Sequence, residues 1–259
     1  DLTPDSAPNS APDSALTPKP AGPAARRARI MALTSGKGGV GKTFLSANLA
    51  AALARRGERV LVLDADLGLA NLDVVLNLSP KVTLHDVFTG KRTLDEALIE
   101  VSGGFTVLLA GSGMVEYSRL TPEVRDKLID TLNTVAPRFD RVLLDTGAGI
   151  SDVVLYTVSL ADEVVVVVTP EPTSMTDAYA TIKVLASTQK RRRMRVLVNQ
   201  RVPGTEAAGV TAQLQRVIDR HVSPTLQAPL TLELIGDVPA DDAVRDAVRR
   251  RQLLCECFP

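Results

Sequence analysis

Aromatic side chains make up only 3% of this 259-residue chain, and tryptophan is absent altogether. That excludes a platform on which successive bases of a nucleic acid strand could stack. Net charge is missing as well: 30 Lys and Arg balance 30 Asp and Glu, so the whole molecule carries no field to draw in DNA or an anionic membrane, and DNA is not an expected partner. Cysteine is confined to Cys255 and Cys257, too close together to bridge comfortably. The two histidines, His85 and His221, stand far apart without Cys or acidic neighbours at ligand spacing, which argues against zinc. No apolar run reaches the ~18 residues of a membrane span, and no signal peptide is recognisable. The expected location is therefore the cytoplasm.

What remains is ample apolar material, 45% of the chain, enough for a sizeable core. It is unevenly placed. Residues 1–28 are dominated by Pro, Ala, Ser and Asp ("DLTPDSAPNSAPDSALTPKPAGPAA") with almost no large apolar side chains, and are expected to form a disordered tail. From Arg29 onward, short apolar runs alternate with helical patterns, which predicts a single domain over 29–259. The runs "RIMALT", "RVLVLD", "FTVLLAG", "RVLLD", "EVVVVVT", "RVLVN" and "LELIGDVP" are continuous, as strands buried on both faces are. Helices are expected at 44–56, 122–135, 152–161, 173–187, 205–221 and 240–253. This alternation predicts an α/β fold with a doubly wound, mainly parallel sheet and helices on both faces. Ligands bind such sheets beyond the carboxyl ends of the strands.

One stretch sits where that rule places chemistry. In "SGKGGVGKT" (35–43), Gly36, Gly41, Lys42 and Thr43 satisfy G-x-x-x-x-G-K-[ST], a loop whose backbone N–H groups surround phosphate oxygens. A strand precedes it, and a helix with Leu45, Leu49 and Leu53 at i, i+4 spacing follows. The loop from Gly36 through Lys37, Gly38, Gly39, Val40, Gly41, Lys42 and Thr43 to Phe44 is expected to bind a nucleotide. Lys42 would reach the β- and γ-phosphates, and the Thr43 hydroxyl would ligate Mg²⁺. Three carboxylates fall at matching strand ends: Asp64, Asp66 just after it, and Asp145. Asp64 and Asp145 are candidates for the Mg²⁺ shell, Asp145 first among them, and Asp66 is placed to orient an attacking water. Gly147 and Gly149 would let the loop after Asp145 change shape with the nucleotide.

"KGGVGKT", with its early Lys37, resembles the deviant Walker A motif of the MinD/ParA family of dimerising ATPases, and the resemblance runs from about Arg29 to Arg251. "LDADLGLANLDVVLNL", "TLHDVFTGKRTLDEALIE", "DTGAGISD" and "EPTSMTDAYATIKVL" are similar to the flagellar-number regulators of MinD type, called FlhG or FleN. The resemblance implies an Mg²⁺-dependent ATPase that forms a homodimer in the ATP state, with Lys37 catalytic in the other subunit's site and Asp66 acting on the water. It also implies that Asn199 and the "PADD" loop, with Pro239 and Asp241, lie near the adenine, and that Asn71 and Glu171 lie toward the dimer face. Implied protein partners are a flagellar GTPase or a transcriptional regulator. A peripheral contact with the inner face of the cell membrane is implied if the natural C-terminus is longer. Division-site placement and DNA segregation are the alternative roles. An iron–sulfur scaffold, as in some related ATPases, fits poorly, because such sites use C-x-x-C and this chain has C-x-C. The basic run "KRRRMR" is expected to be a solvated helix end.

Overall fold

The computed structural model describes residues 27–68, 70–111 and 119–258. The tail expected over 1–28 lies outside them except for its last two residues. Strand β1 (Arg29–Ser35) shows how one apolar run serves two cores: Ile30 and Ala32 face one layer, Met31 and Leu33 the other. The two-residue period of a strand requires this whenever both sheet faces are covered. The same division recurs in β2 (Val60–Ala65), β5 (Arg141–Ala148) and β6 (Glu163–Val168). With β3 (Leu98–Glu100), β4 (Thr106–Leu108), β7 (Arg193–Arg201) and β8 (Thr231–Pro239), these make one sheet in the order β3-β4-β2-β5-β1-β6-β7-β8. Every neighbouring pair is parallel except β3 and β4.

On one face lies α1 (Lys42–Arg55). Its contact with the sheet is made by Leu45 with Ala47, Ala50 and Ala51, while Leu49 and Leu53 are only partly buried. The leucine spacing thus marked the helix but not its inner side, because alanines let the backbone approach the sheet closely. The other face carries α5 (Pro122–Val135), α6 (Asp152–Ser159), α7 (Pro172–Thr188) and α8 (Ala207–His221), through residues such as Leu128, Val158, Ile182 and Leu214. Local chemistry sets their starts: Thr121 Oγ1 accepts the Val124 N–H with Pro122 at the first position of α5, and Ser151 Oγ accepts the Val154 N–H of α6. Gly57, at φ 87°, ends α1.

Three short helices, α2 (Leu72–Val75), α3 (Leu84–Phe88) and α4 (Leu94–Ala97), fill the connection from β2 to β3, followed much later by α9 (Asp242–Arg250) and α10 (Leu254–Cys257). The helix expected over 240–253 breaks at Arg251, which is left-handed at φ 54°. Its inward residue is Ala247, while Val248 is exposed. The expectation that every strand is buried on both faces fails at β8. Thr231, Ile235, Asp237 and Pro239 are exposed there, because β8 is an edge strand and bulges at Ile235, between the pairs Val196–Leu234 and Leu197–Gly236. Near the amino ends of the strands, Arg29, Glu163, Arg195, Glu233 and Arg193 form a chain of ion pairs across β1, β6, β7 and β8.

Candidate nucleotide site

Strand β1 is the middle of the topology: the chain leaves it for β2 on one side, while β6 flanks it on the other. The crevice at its carboxyl end is where a doubly wound sheet opens, and the loop 35–41 fills it. Gly39 (φ 79°) and Gly41 (φ 91°) hold left-handed conformations that other residues adopt at a cost. Gly36 is needed for a different reason. A Cβ there would lie 2.2 Å from the Asp177 carbonyl, so the loop rests directly on the backbone of α7.

Helix α1 begins at Lys42 with Gly41 as its N-cap, no side-chain cap and no acid in the first turn. Its first N–H groups and the positive end of its dipole are thus left for an anion. Lys42, 8% exposed, donates from Nζ to Ser35 Oγ at 2.8 Å, and Ser35 Oγ donates to the Lys37 carbonyl at 2.7 Å. Burial pushes the Lys42 ammonium below its ordinary value, against the pull of Asp145 and Asp66. Gln200 and Asn199 brace the loop from β7: Asn199 Nδ2 donates to the Val40 carbonyl at 2.7 Å, and Gln200 Nε2 to the Gly39 carbonyl at 3.3 Å.

Asp64 and Asp145 are paired across β2 and β5, both buried. The Thr43 and Ser46 hydroxyls hydrogen-bond Asp145, Ser46 at 3.0 Å. Burial raises the Asp145 carboxyl to about 6, although those hydroxyls and Lys42 oppose it. Burial, then repulsion from Asp145, raises Asp64 well above the usual carboxylate range. Asp64 accepts the N–H groups of Asp66 (3.2 Å) and Leu72 (3.4 Å), which fixes the loop that carries Asp66 and Asn71. Asp66 is half-buried and faces Gly147, whose added Cβ would come within 3.3 Å of its carboxyl. The Gly149 N–H donates to the Ser35 carbonyl at 2.8 Å, tying the loop after β5 to the end of β1.

Lys37 does not point into the loop. Its ammonium lies 3.1 Å from both Glu171 Oε2 and Thr173 Oγ1 at the start of α7 in the same chain, with its side chain 41% exposed. Asn71 stands at the position before α2, and Asp241 caps α9 by accepting the Ala243 N–H. Pro239 pairs with Arg201 at the carboxyl ends of β7 and β8. Phe44 is buried in the first turn of α1. Four residues escaped the sequence reading: Ser35, Ser46, Thr173 and Gln200. Ser46 was findable, one helical turn beyond Lys42, and Ser35 opens the loop itself; Thr173 and Gln200 meet the loop through the fold alone.

The donors suit a nucleotide held with Mg²⁺. Thr43, Asp64 and Asp145 offer only oxygen, the preference of a hard cation. Among the described residues no group of three or more His, Cys, Asp or Glu closes a cage.

Residues 28–198 match a protein-family model described as an AAA domain. The antiactivator FleN of Pseudomonas aeruginosa is 43% identical over 231 residues, covering 89% of this chain and 80% of FleN. The chain belongs to the MinD/ParA family of ATPases. Within that family it stands with the FleN type, and the flagellum site-determining protein YlxH of Helicobacter pylori is also similar, 32% identical over 89% of this chain and 76% of its own length. The fold agrees: the MinC:MinD cell division protein complex of Aquifex aeolicus contains a chain with TM-score 0.64 and 31% identity, covering 88% of each chain. As a MinD/ParA ATPase the protein hydrolyses ATP with Mg²⁺, and relatives of this type assemble with other proteins, as the MinC:MinD complex does. Among the described residues no helix is long and apolar enough to cross a membrane.

Proposed function

We propose that this chain, over 29–259, is a single-domain ATP-dependent switch that controls flagellar number or placement by alternating between monomer and homodimer. The observation that carries the flagellar reading is its 43% identity to FleN, joined by the likeness to a flagellum site-determining protein. Division-site placement is the second reading, favoured by the likeness to the cell division MinD chain. Zero net charge counts against the third reading, DNA segregation.

In this reading the N–H groups from Gly36 to Phe44 hold the phosphates, and Lys42 leaves Ser35 for the β- and γ-oxygens. Thr43 with Asp145, and Asp64 beside it, would hold Mg²⁺, which when bound neutralises charge on the phosphates and orients them. Asp66, facing Gly147, orients the attacking water. Asn199, Pro239 and Asp241 border the base; the brace from Asn199 to Val40 supports the nearness of Asn199 to the loop. Lys37 leaves Glu171 and Thr173 to reach the nucleotide of the second subunit, where a cation delivered in trans is worth roughly 10³ to 10⁵ in rate. Asn71 and Glu171 then face that subunit. A flagellar GTPase or a transcriptional regulator reads the dimer, at the cytoplasmic side of the cell membrane. The test is to delete the gene, count flagella per cell and score minicells: altered flagellar number without minicells supports the proposal, and minicells with normal flagellation support division-site placement instead.

A further inference from the structure

At the far end of the sheet, the basic run turns from α7 into β7. It is not simply a solvated helix end. Arg191 Nη2 donates to the carbonyls of Val158 (2.9 Å) and Ala161 (2.7 Å), and Arg192 Nη1 to that of Ala186 (3.1 Å). These two side chains therefore close the carboxyl ends of α6 and α7, cancelling the negative poles that would repel an anion. Lys190, held left-handed at φ 54°, and Arg193 remain exposed beside them. The four cations, with Ser159 and Gln189, line a concavity of about 570 Å³ that no acidic side chain enters.

Counter-charge here is short. Glu233 lies 2.7 Å from Arg193 but is shared with Arg195, and Asp162, which acts on Arg191, accepts the Ile30 N–H. Lys190 has no ion-pair partner among the described residues. Two carboxylates thus face four consecutive cations; Arg191 and Arg192 turn their guanidinium groups to backbone carbonyls, which leaves Lys190, and Arg193 beside a Glu233 that it shares with Arg195, to meet phosphate oxygens. We propose that this concavity is a second anion site that takes a phosphate-bearing ligand, either an anionic lipid headgroup or a soluble phosphate ester. It is separate from the nucleotide loop: from Arg193 to Asn199, β7 runs six residues, about 20 Å of extended chain.

The test uses the whole protein with ADP and Mg²⁺ bound, so that the nucleotide loop is filled. Inorganic pyrophosphate is titrated by calorimetry, and vesicles of phosphatidylglycerol or of phosphatidylcholine are used in flotation. The comparison is the double variant Lys190→Asn, Arg193→Gln. Asn tolerates the left-handed conformation, and Arg191 and Arg192 keep their carbonyls, so the fold and ATP turnover should be unchanged. Pyrophosphate should bind wild type at least tenfold more tightly than the variant. Phosphatidylglycerol vesicles that float wild type but not the variant identify the lipid source; pyrophosphate binding without flotation identifies the soluble ester. Equal binding by both proteins, binding by neither, or retention only on duplex DNA overturns the proposal. If the double variant melts early, Lys190→Asn alone must still lower pyrophosphate affinity at least threefold, or the proposal fails.

Discussion

A single methyl group at Gly36 tests whether the nucleotide loop rests on α7. In Gly36→Ala the new Cβ would stand 2.2 Å from the carbonyl carbon and oxygen of Asp177 and 2.7 Å from the Ala178 nitrogen. These are helix backbone atoms, so no side chain can swing aside; either the loop lifts or α7 shifts. Such overpacking costs about 1–3 kcal/mol, and at about 2–4 °C per kcal/mol in a chain of this size the melting temperature should fall by about 2–12 °C. Gly38→Ala is the matched control, since nothing lies within 4 Å of its Cβ and its φ is not positive. It should melt within about 1 °C of wild type. Calorimetric unfolding of the nucleotide-free proteins, with ATP titration of each, provides the measurement. Equal melting of the two variants would refute the close approach of loop and helix.

Asp145 gives a pH-dependent case. Its folded value of about 6 lies above the ordinary 3.8, so the group favours folding below pH 4 and that contribution is lost as pH rises through 6, at a cost of order 3 kcal/mol. With Mg²⁺ and nucleotide removed, Asp145→Asn should therefore be more stable than wild type at pH 8, with the gain vanishing near pH 4 in denaturant titrations; a gain that does not shrink on acidification contradicts the cause. Lys42→Ala should weaken ATP binding tenfold or more, the loss of a charge-assisted contact worth about 1.5–3 kcal/mol, as titration calorimetry would show. Glu163→Gln breaks the ion-pair chain between Arg29 and Arg195, where the Glu163 side chain is 20% exposed. It should cost about 1 kcal/mol, less at high salt, as urea midpoints at two ionic strengths would reveal.

The apolar runs and the phosphate loop were legible because each is a local pattern. Strand β3 was not, since Leu98, Ile99 and Glu100 are too few to show a period, and only pairing with β4 makes them a strand. The exposure of β8 likewise depends on its place at the edge of the sheet. Within the site, the residues were named by motif, but their present partners follow from the fold. Asp64 spends its oxygens on the Asp66 and Leu72 N–H groups, and Lys37 lies on Glu171, more than a hundred residues away in sequence. The Lys37 contact has no signature along the chain.

If Lys37 completes the site of a second subunit, mixing two disabled chains restores activity. Lys37→Ala should bind ATP through Lys42 but dimerise poorly and turn over slowly, and Asp66→Ala should bind ATP and accumulate as an inactive dimer. Combined, they should regain turnover, because a mixed dimer holds one intact Asp66 facing one intact Lys37, and wild-type specific activity should rise with protein concentration. No recovery on mixing, together with wild-type activity independent of concentration, would show that Lys37 acts within its own chain or not at all.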